Sequence, residues 1–510
     1  MVTQPGRRDL GHVAKTSVPS SPIRTIDLSV GRGIIEHMFE GLSDGDLIDV
    51  MAAASREESA AISKRLTAVA ELFVRREGEL SETAWWAADY CAAVAAEVAA
   101  AQNISQARAV GQVQFACALR DQLPAVAALF AGGGIDFRLV AMIVCRTENV
   151  DRELMPQLDK AIAARAQKWM RLSKPKLRDR IDVFVAKFDP AGVRVPPMWG
   201  GGRHLDVDPT CPGMAGIAGS VHAADGAALD QRLDALADTV CPNDPRTKAQ
   251  RRADACGPLA RGEDVLACQC GSDQCPAKAQ RASTAAAVIH VLAEQSTLDG
   301  GSTPGYLSGF GVLPAQAVRE LAVTAKLTPV TLPMGAPPEP GYRPSAALAR
   351  FLRCRDLTCR FPGCDRPVEH CDLDHTVPWP SGATHASDLK HYCRIHHLIK
   401  TFYAGLGWHD EQRPDGTIVL RSPSGHLYTT TPHGAALFPV LGQPTGELTN
   451  AAAADLSPHR GAMMPRRKQT REQDRQYRIN GERRQRAEHI AHKQRARQAW
   501  LAKNYEPPPF

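Results

Sequence analysis

Apolar positions recur three and four apart from Ile34 to about Asp189. Ile62, Leu66, Val69 and Phe73 form one such stripe, which predicts amphipathic helices with a single buried face. Helix-start signals punctuate the stretch. Ser105 precedes Gln-Ala-Arg-Ala-Val, Pro124 heads Ala-Val-Ala-Ala-Leu, and Asp136 precedes Phe-Arg-Leu-Val-Ala. Gly132-Gly-Gly134 breaks the chain between two of these helices. The Ser105 helix and its successor read either as a DNA-reading helix-turn-helix or as two packed core helices. From Val193 to Thr324 the pattern mixes. Strands are expected over Met214–Val221 and Ala286–Leu292, and helices over Ala227–Thr239 and Ala315–Ala325. Residues 331–344, with five prolines and two glycines, sustain neither helix nor central strand and read as a linker. Ser345 then caps a short helix. Farther on, Thr417–Leu420 and His426–Thr430, flanked by Pro414-Asp-Gly416 and Ser422-Pro-Ser-Gly425, predict a hairpin or short meander.

The expected organisation is mainly α with an α+β part. A leader spans 1–30, a helical domain 31–192 and its α+β continuation 193–330. The linker 331–344 leads to a small module over 345–435, and a basic tail, helical or disordered, runs over 436–510. Charge sharpens this division. The formal charge is +6 over 510 residues. From Arg460 to Phe510 there are 14 Lys/Arg and 5 Asp/Glu, leaving the rest of the chain near −3. A basic tail on a near-neutral body suits a polyanionic partner or a solvated end. No apolar run approaches the roughly 20 residues that span a bilayer, and residues 1–30 lack a signal-peptide core. Fourteen cysteines, sparse for the length and with six or seven of them in two clusters, fit a reducing cytoplasm in which thiols bind metal or stay free.

The chemistry concentrates between Cys359 and Lys400. Cys359, Cys364, Cys393 and His396 have the spacing of a Cys₃His structural zinc clip that staples the two ends of the segment. Cys354 and Cys371 are left over, and Cys371 is a competing ligand. The same segment also holds Asp374, His375 and His397. Asp374 is a hard oxygen ligand suited to Mg²⁺ or Mn²⁺. His397 follows the clip residue His396 by about 100° on a helix, so it faces away from the zinc and can serve a second divalent metal with Asp374. His375, next to Asp374 in an extended segment, projects to the opposite face and can act as a general base. A second candidate cluster is Cys268-Gln-Cys270-Gly-Ser-Asp-Gln-Cys275, with Cys256 or a distant His as fourth ligand. Unligated surface thiols are its alternative.

The segments Arg360-Phe-Pro-Gly-Cys364, Asp374-His-Thr-Val-Pro378 and Cys393-Arg-Ile-His-His-Leu-Ile-Lys-Thr401 resemble the zinc-containing HNH, or ββα-metal, endonucleases. More narrowly, they resemble the 13E12 repeat family, which places a helical domain of unknown function before an HNH domain. Asp244-Pro-Arg-Thr-Lys-Ala-Gln-Arg-Arg-Ala-Asp254 extends the resemblance upstream. It implies hydrolysis of a DNA phosphodiester, with His375 taking a proton from water and a metal at Asp374 and His397 polarising the phosphate. Arg353, Arg360 and Lys400 are the expected phosphate contacts.

One position departs from that family's pattern: Asp388 stands where its motif has Asn. Ionised Asp only accepts hydrogen bonds, whereas Asn also donates. The substitution either loosens the site or tightens metal binding. The sequence therefore supports a metal-dependent DNA endonuclease, or a zinc-stapled DNA-binding protein with weak or lost catalysis.

Overall fold

The computed structural model describes residues 39, 41–194, 203–275, 277, 290–323, 325–403, 407–448 and 458–504. The expected leader and residues 286–289 of an expected strand lie outside these ranges. The chain divides into two compact units, Met1–Glu58 and Ser59–Phe510. In the first, helix α1 (Asp44–Glu79) opens on a reciprocal cap. The Ser43 amide donates to the Asp46 carboxylate at 2.9 Å, and the Asp46 amide donates to the Ser43 hydroxyl at 3.2 Å.

The second unit is mainly α. The rest of α1 is followed by α2 (Tyr90–Gln102), α3 (Gln106–Asp121), α4 (Pro124–Ala131), α5 (Phe137–Thr147), α6 (Met155–Trp169) and α7 (Lys174–Phe188). Ser105 and Asp136 cap α3 and α5 with their side chains, and Pro124 opens α4. Val113, Ala116, Leu119, Val126 and Phe130 from α3 and α4 lie in one core with Leu66, Val69 and Phe73. The two helices that admitted a helix-turn-helix reading are thus packed core helices.

Next come the hairpin β1 (His204–Cys211) and β2 (Met214–Ser220), then α8 (Ala223–Ala237), α9 (Lys248–Asp254) and α10 (Cys256–Arg261). A three-stranded antiparallel sheet follows, with β4 (Gly305–Leu307) between β3 (Val291–Leu292) and β5 (Gly311–Leu313). α11 (Gln295–Leu298) lies between β3 and β4, and α12 (Ala315–Ala322) follows β5.

Past α13 (Ala346–Asp356), capped by Ser345, the chain forms a ββα unit. β6 (Cys371–His375) pairs antiparallel with β7 (Leu389–Cys393), which runs straight into α14 (Arg394–Phe402). A meander of β8 (His409–Gln412), β9 (Ile418–Arg421) and β10 (Leu427–Thr430) covers it, followed by α15 (His433–Leu437) and the long α16 (Arg471–Asn504).

α2 explains how the ββα unit is held. It reads Tyr-Cys-Ala-Ala-Val-Ala-Ala-Glu-Val-Ala-Ala-Ala-Gln, and residues 92–100 are all buried. Apart from Glu97, which pairs with Arg76 at 2.8 Å, this stretch is apolar on every face, and such a helix is buried all round. Val94, Ala95, Val98 and Ala99 enter the helical core, while Ala92, Ala93, Ala96 and Ala100 share a second core with Phe361, Tyr392, Leu398, Ile399 and Trp408. Alanines let both neighbours come close. The expected linker also lies against the module, with the Glu339 amide donating to Thr384 O at 2.9 Å. The basic α16 spends much of its charge internally. Arg471 pairs with Asp89 at 2.5 Å, Arg478 with Glu148 at 2.6 Å and Arg483 with Asp189 at 2.5 Å.

Candidate metal centre and the adjoining acidic site

The two ends of the ββα unit converge on Cys359, Cys364, Cys393 and His396, whose ligand atoms all lie within 4.8 Å of one another. This group could hold a metal ion. Cys359 and Cys364 sit on a tight turn. Gly363 there has φ +71, and a Cβ would come 2.5 Å from the Ile104 carbonyl oxygen, so the turn admits only glycine. Cys393 ends β7 and His396 sits on the first turn of α14. The Cys393 amide donates to Cys359 Sγ at 3.2 Å. His396 stacks on Phe361, with ring centroids 3.9 Å apart. Its Nδ1 faces Cys359 and Cys393 Sγ at 3.5 and 3.3 Å, and its Nε2 faces Gln106 Oε1 at 3.3 Å. Gln106, on α3, thereby fixes which nitrogen is left for a metal. Cys371 is outside the group. Its thiol donates to Pro367 O at 3.3 Å.

The second face of the unit holds the acidic site. Asp372 and Asp374, two apart on β6, project to the same side. His397 and Lys400, three apart on α14, point back at them. His397 Nε2 lies 3.5 Å from Asp374 Oδ1, and its Nδ1 lies 3.0 Å from Asp372 Oδ2. The arrangement leaves one carboxylate oxygen and one imidazole nitrogen side by side, with a second carboxylate orienting the imidazole. Behind them, Asp374 Oδ2 accepts from Lys390 at 2.9 Å and Lys400 at 2.7 Å, and Lys390 also reaches Asp410 at 2.8 Å. Burial opposes ionisation of Asp374, but Lys390, Lys400 and His397 together hold its carboxyl well below the usual range.

His375 alternates to the other side of β6. Its Nε2 is 3.0 Å from the Thr384 hydroxyl, which donates in turn toward Tyr342 O at 3.5 Å. Thr384 then accepts from Nε2–H, which leaves Nδ1 with the free lone pair. Burial, reinforced by Lys390 and Lys400 against the opposing Asp374, lowers the His375 pKa, so the ring is neutral near pH 7. Tyr342 stacks on it at 5.3 Å, and Trp379 lies 6.3 Å away.

Asp388 Oδ1 accepts from the Val377 amide at 3.1 Å, whereas Oδ2 is buried with no hydrogen-bond partner. A Cβ on Gly382 would run into the Val377 carbonyl oxygen and come 2.6 Å from Asp388 Oδ2, so glycine is required to close this loop. Burial pushes the Asp388 carboxyl up to about 6.

Three expectations are corrected by the geometry. Arg360 is no phosphate contact. It is buried, and its guanidinium donates to Thr430 O at 2.8 Å and pairs with Asp356 at 3.5 Å. Lys400 points inward, to Asp374 and to His375 O at 2.5 Å. Arg353 remains exposed. In the other thiol cluster Cys241, and not Cys256, joins Cys268, Cys270 and Cys275 within 4.8 Å. Cys256 opens α10, with its thiol directed at Arg252 O. Asp372, Lys390, Asp410, Thr384 and Tyr342 were not foreseen. Of these, only Asp372 carried a signal, its two-residue spacing from Asp374 on a strand.

Fold and site define a mainly α protein carrying a small module whose Cys/His group could hold a metal ion. The chain belongs to the family described as a domain of unknown function (DUF222), whose model matches residues 53–356. It is 42% identical to the uncharacterized protein Rv2100 of Mycobacterium tuberculosis, over 96% of each chain. It is also 42% identical to the uncharacterized protein Rv3776 of the same species, over 86% of this chain and 90% of that one. No solved structure matches the chain significantly. Among the described residues, no helix is long and apolar enough to cross a membrane.

Proposed function

We propose that the chain is an HNH-type endonuclease that hydrolyses DNA phosphodiester bonds with a divalent metal. The observation that carries this reading is the pairing of Asp374 Oδ1 with His397 Nε2 at 3.5 Å, with Asp372 orienting His397. An oxygen and an imidazole donor suit Mg²⁺, Mn²⁺ or a later first-row ion. A cation held there supplies Lewis-acid polarisation of a phosphate oxygen. His375, neutral and with Nδ1 free, takes the proton from the attacking water. Thr384 holds the ring in the tautomer this needs. Lys390 and Lys400 keep Asp374 ionised. Tyr342 and Trp379, 57% and 39% exposed beside His375, offer aromatic surface to a base. Zinc is the metal proposed for the closed Cys₃His group, where three thiolates and one imidazole leave no open position.

The second reading, a DNA-binding protein without cleavage, is favoured by two observations. The Asp374 carboxylate is already held by two ammonium groups, which compete with a cation. Asp388 also leaves a buried oxygen unpaired in the loop beside His375. Plasmid incubated with the purified chain and Mg²⁺ or Mn²⁺ separates the two. Cutting is expected, with a drop of at least about 100-fold in His375→Ala. Salt-sensitive DNA binding without cutting supports the second reading, and equal cutting by His375→Ala refutes the assigned base.

A further inference from the structure

We propose that Cys241, Cys268, Cys270 and Cys275 form a second, all-thiolate zinc site within the family domain, independent of the Cys₃His group and of any reaction at Asp374. The four Sγ atoms lie within 4.8 Å of one another, and Cys268 and Cys241 Sγ are 3.5 Å apart. In a tetrahedral site with metal–sulfur bonds of about 2.3 Å, sulfurs sit roughly 3.8 Å from each other. The observed spacing brackets that figure and is far longer than a disulfide, for which sulfurs approach about 2.05 Å.

The scaffold around the thiols is built to bring them together. Cys241 follows α8, and the other three lie on the segment after α10. Asp244, 1% exposed, accepts from the Gln269 amide at 2.8 Å and pairs with Arg246 at 2.9 Å. Arg246 also donates to Ala267 O at 2.7 Å and pairs with Asp254 at 2.7 Å. The Leu266 amide donates to the Thr239 hydroxyl at 2.9 Å. Residues on both sides of Cys268 are thus tied to the turn that carries Cys241.

The same region has little else to hold it. Between Ala223 and Cys275 the buried apolar side chains, among the described residues, are Leu236, Ala237, Val240, Ala255, Pro258 and Leu266. A core this small does not order a long irregular segment, and a structural metal commonly takes that part. Four soft thiolates with no open position select a closed structural ion such as zinc.

Metal content of the full-length chain tests this. Two zinc ions per chain are expected in the wild type and in Cys256→Ser, and one in Cys241→Ser or Cys270→Ser. A zinc content in Cys241→Ser equal to that of the wild type overturns the proposal. A footprint on the wild type avoids reliance on variants that fail to fold. In the zinc-loaded chain, the four thiols should resist alkylation while the exposed Cys145 and Cys211 react. After chelation all four should become reactive together. Alkylation of Cys270 in the loaded chain as fast as that of Cys211 also overturns it.

Discussion

The two thiol clusters of this chain are held in opposite ways. Cys359, Cys364, Cys393 and His396 sit against Phe361, Tyr392 and Trp408, in a core completed by the alanines of α2. Cys241, Cys268, Cys270 and Cys275 are half-buried beside the Asp244–Arg246 ion pair, in a stretch with six buried apolar side chains among the described residues. In the first place a metal would add to packing that already binds two parts of the molecule together. In the second a metal would replace packing. The first cluster should therefore be coupled to global stability and the second to local order.

The largest effect is expected from Cys359→Ser. It removes a ligand from a group in which Cys393 and His396 are buried and Cys364 is half-buried, in a core shared with the helical bundle. A loss of about 3–5 kcal/mol is expected, seen as a large drop in melting temperature of the whole chain. Cys268→Ser should do much less globally, about 1 kcal/mol or under, while opening residues between Gly262 and Cys275 to limited proteolysis. If the two variants melt alike, the contrast between shared core and local staple is wrong.

The third effect concerns Asp388, in the loop beside His375. Burial raises the Asp388 carboxyl from 3.8 to about 6, so the folded chain binds this proton more tightly than the unfolded one. Stability then falls as pH rises from about 4 to about 6. The cost above pH 6 is about 3 kcal/mol at most, and it is absent below pH 4. Asp388→Asn keeps an acceptor for the Val377 amide and removes the buried charge. It should stabilise the chain by about 2 kcal/mol at pH 8 and leave it unchanged at pH 4, as measured by denaturant melts at both pH values. Under the proposed function it should also raise the cleavage rate. A gain of equal size at both pH values would mean that Oδ2 is not the source.

How much of this was written in the sequence depends on the kind of contact. The helices of the N-terminal region were legible because their caps and apolar spacing are local. The members of the Cys₃His group were legible because two short ligand turns announce themselves. Cys241 was not, because its partners lie beyond two intervening helices, and Cys256 stood nearer along the chain. Lys390 and Asp410 were hidden for a related reason. A buried lysine on a strand looks like a surface residue until β8 brings Asp410 to it. Arg360 misled in the opposite direction. Its place in the ligand turn suggested a phosphate contact, and only the arrival of Asp356 and Thr430 makes it internal.

The smallest predicted effect isolates the coupling between the bundle and the first cluster. Among the described residues, Gln106 Oε1 is the partner of His396 Nε2, and Gln106 also donates to Ala92 O at 3.0 Å on the shared alanine helix. Acceptors behind a ligating imidazole fix its tautomer, and their loss costs 10- to 100-fold in metal affinity. Gln106→Ala should weaken zinc at the Cys₃His group by about tenfold, near the low end because the stack on Phe361 still orients the ring. The all-thiolate cluster has no such imidazole and should keep its affinity. Competition with a chelator, following the two ions separately, reads both at once. Equal weakening at the two sites would place the effect in the bundle as a whole and remove Gln106 as the specific link.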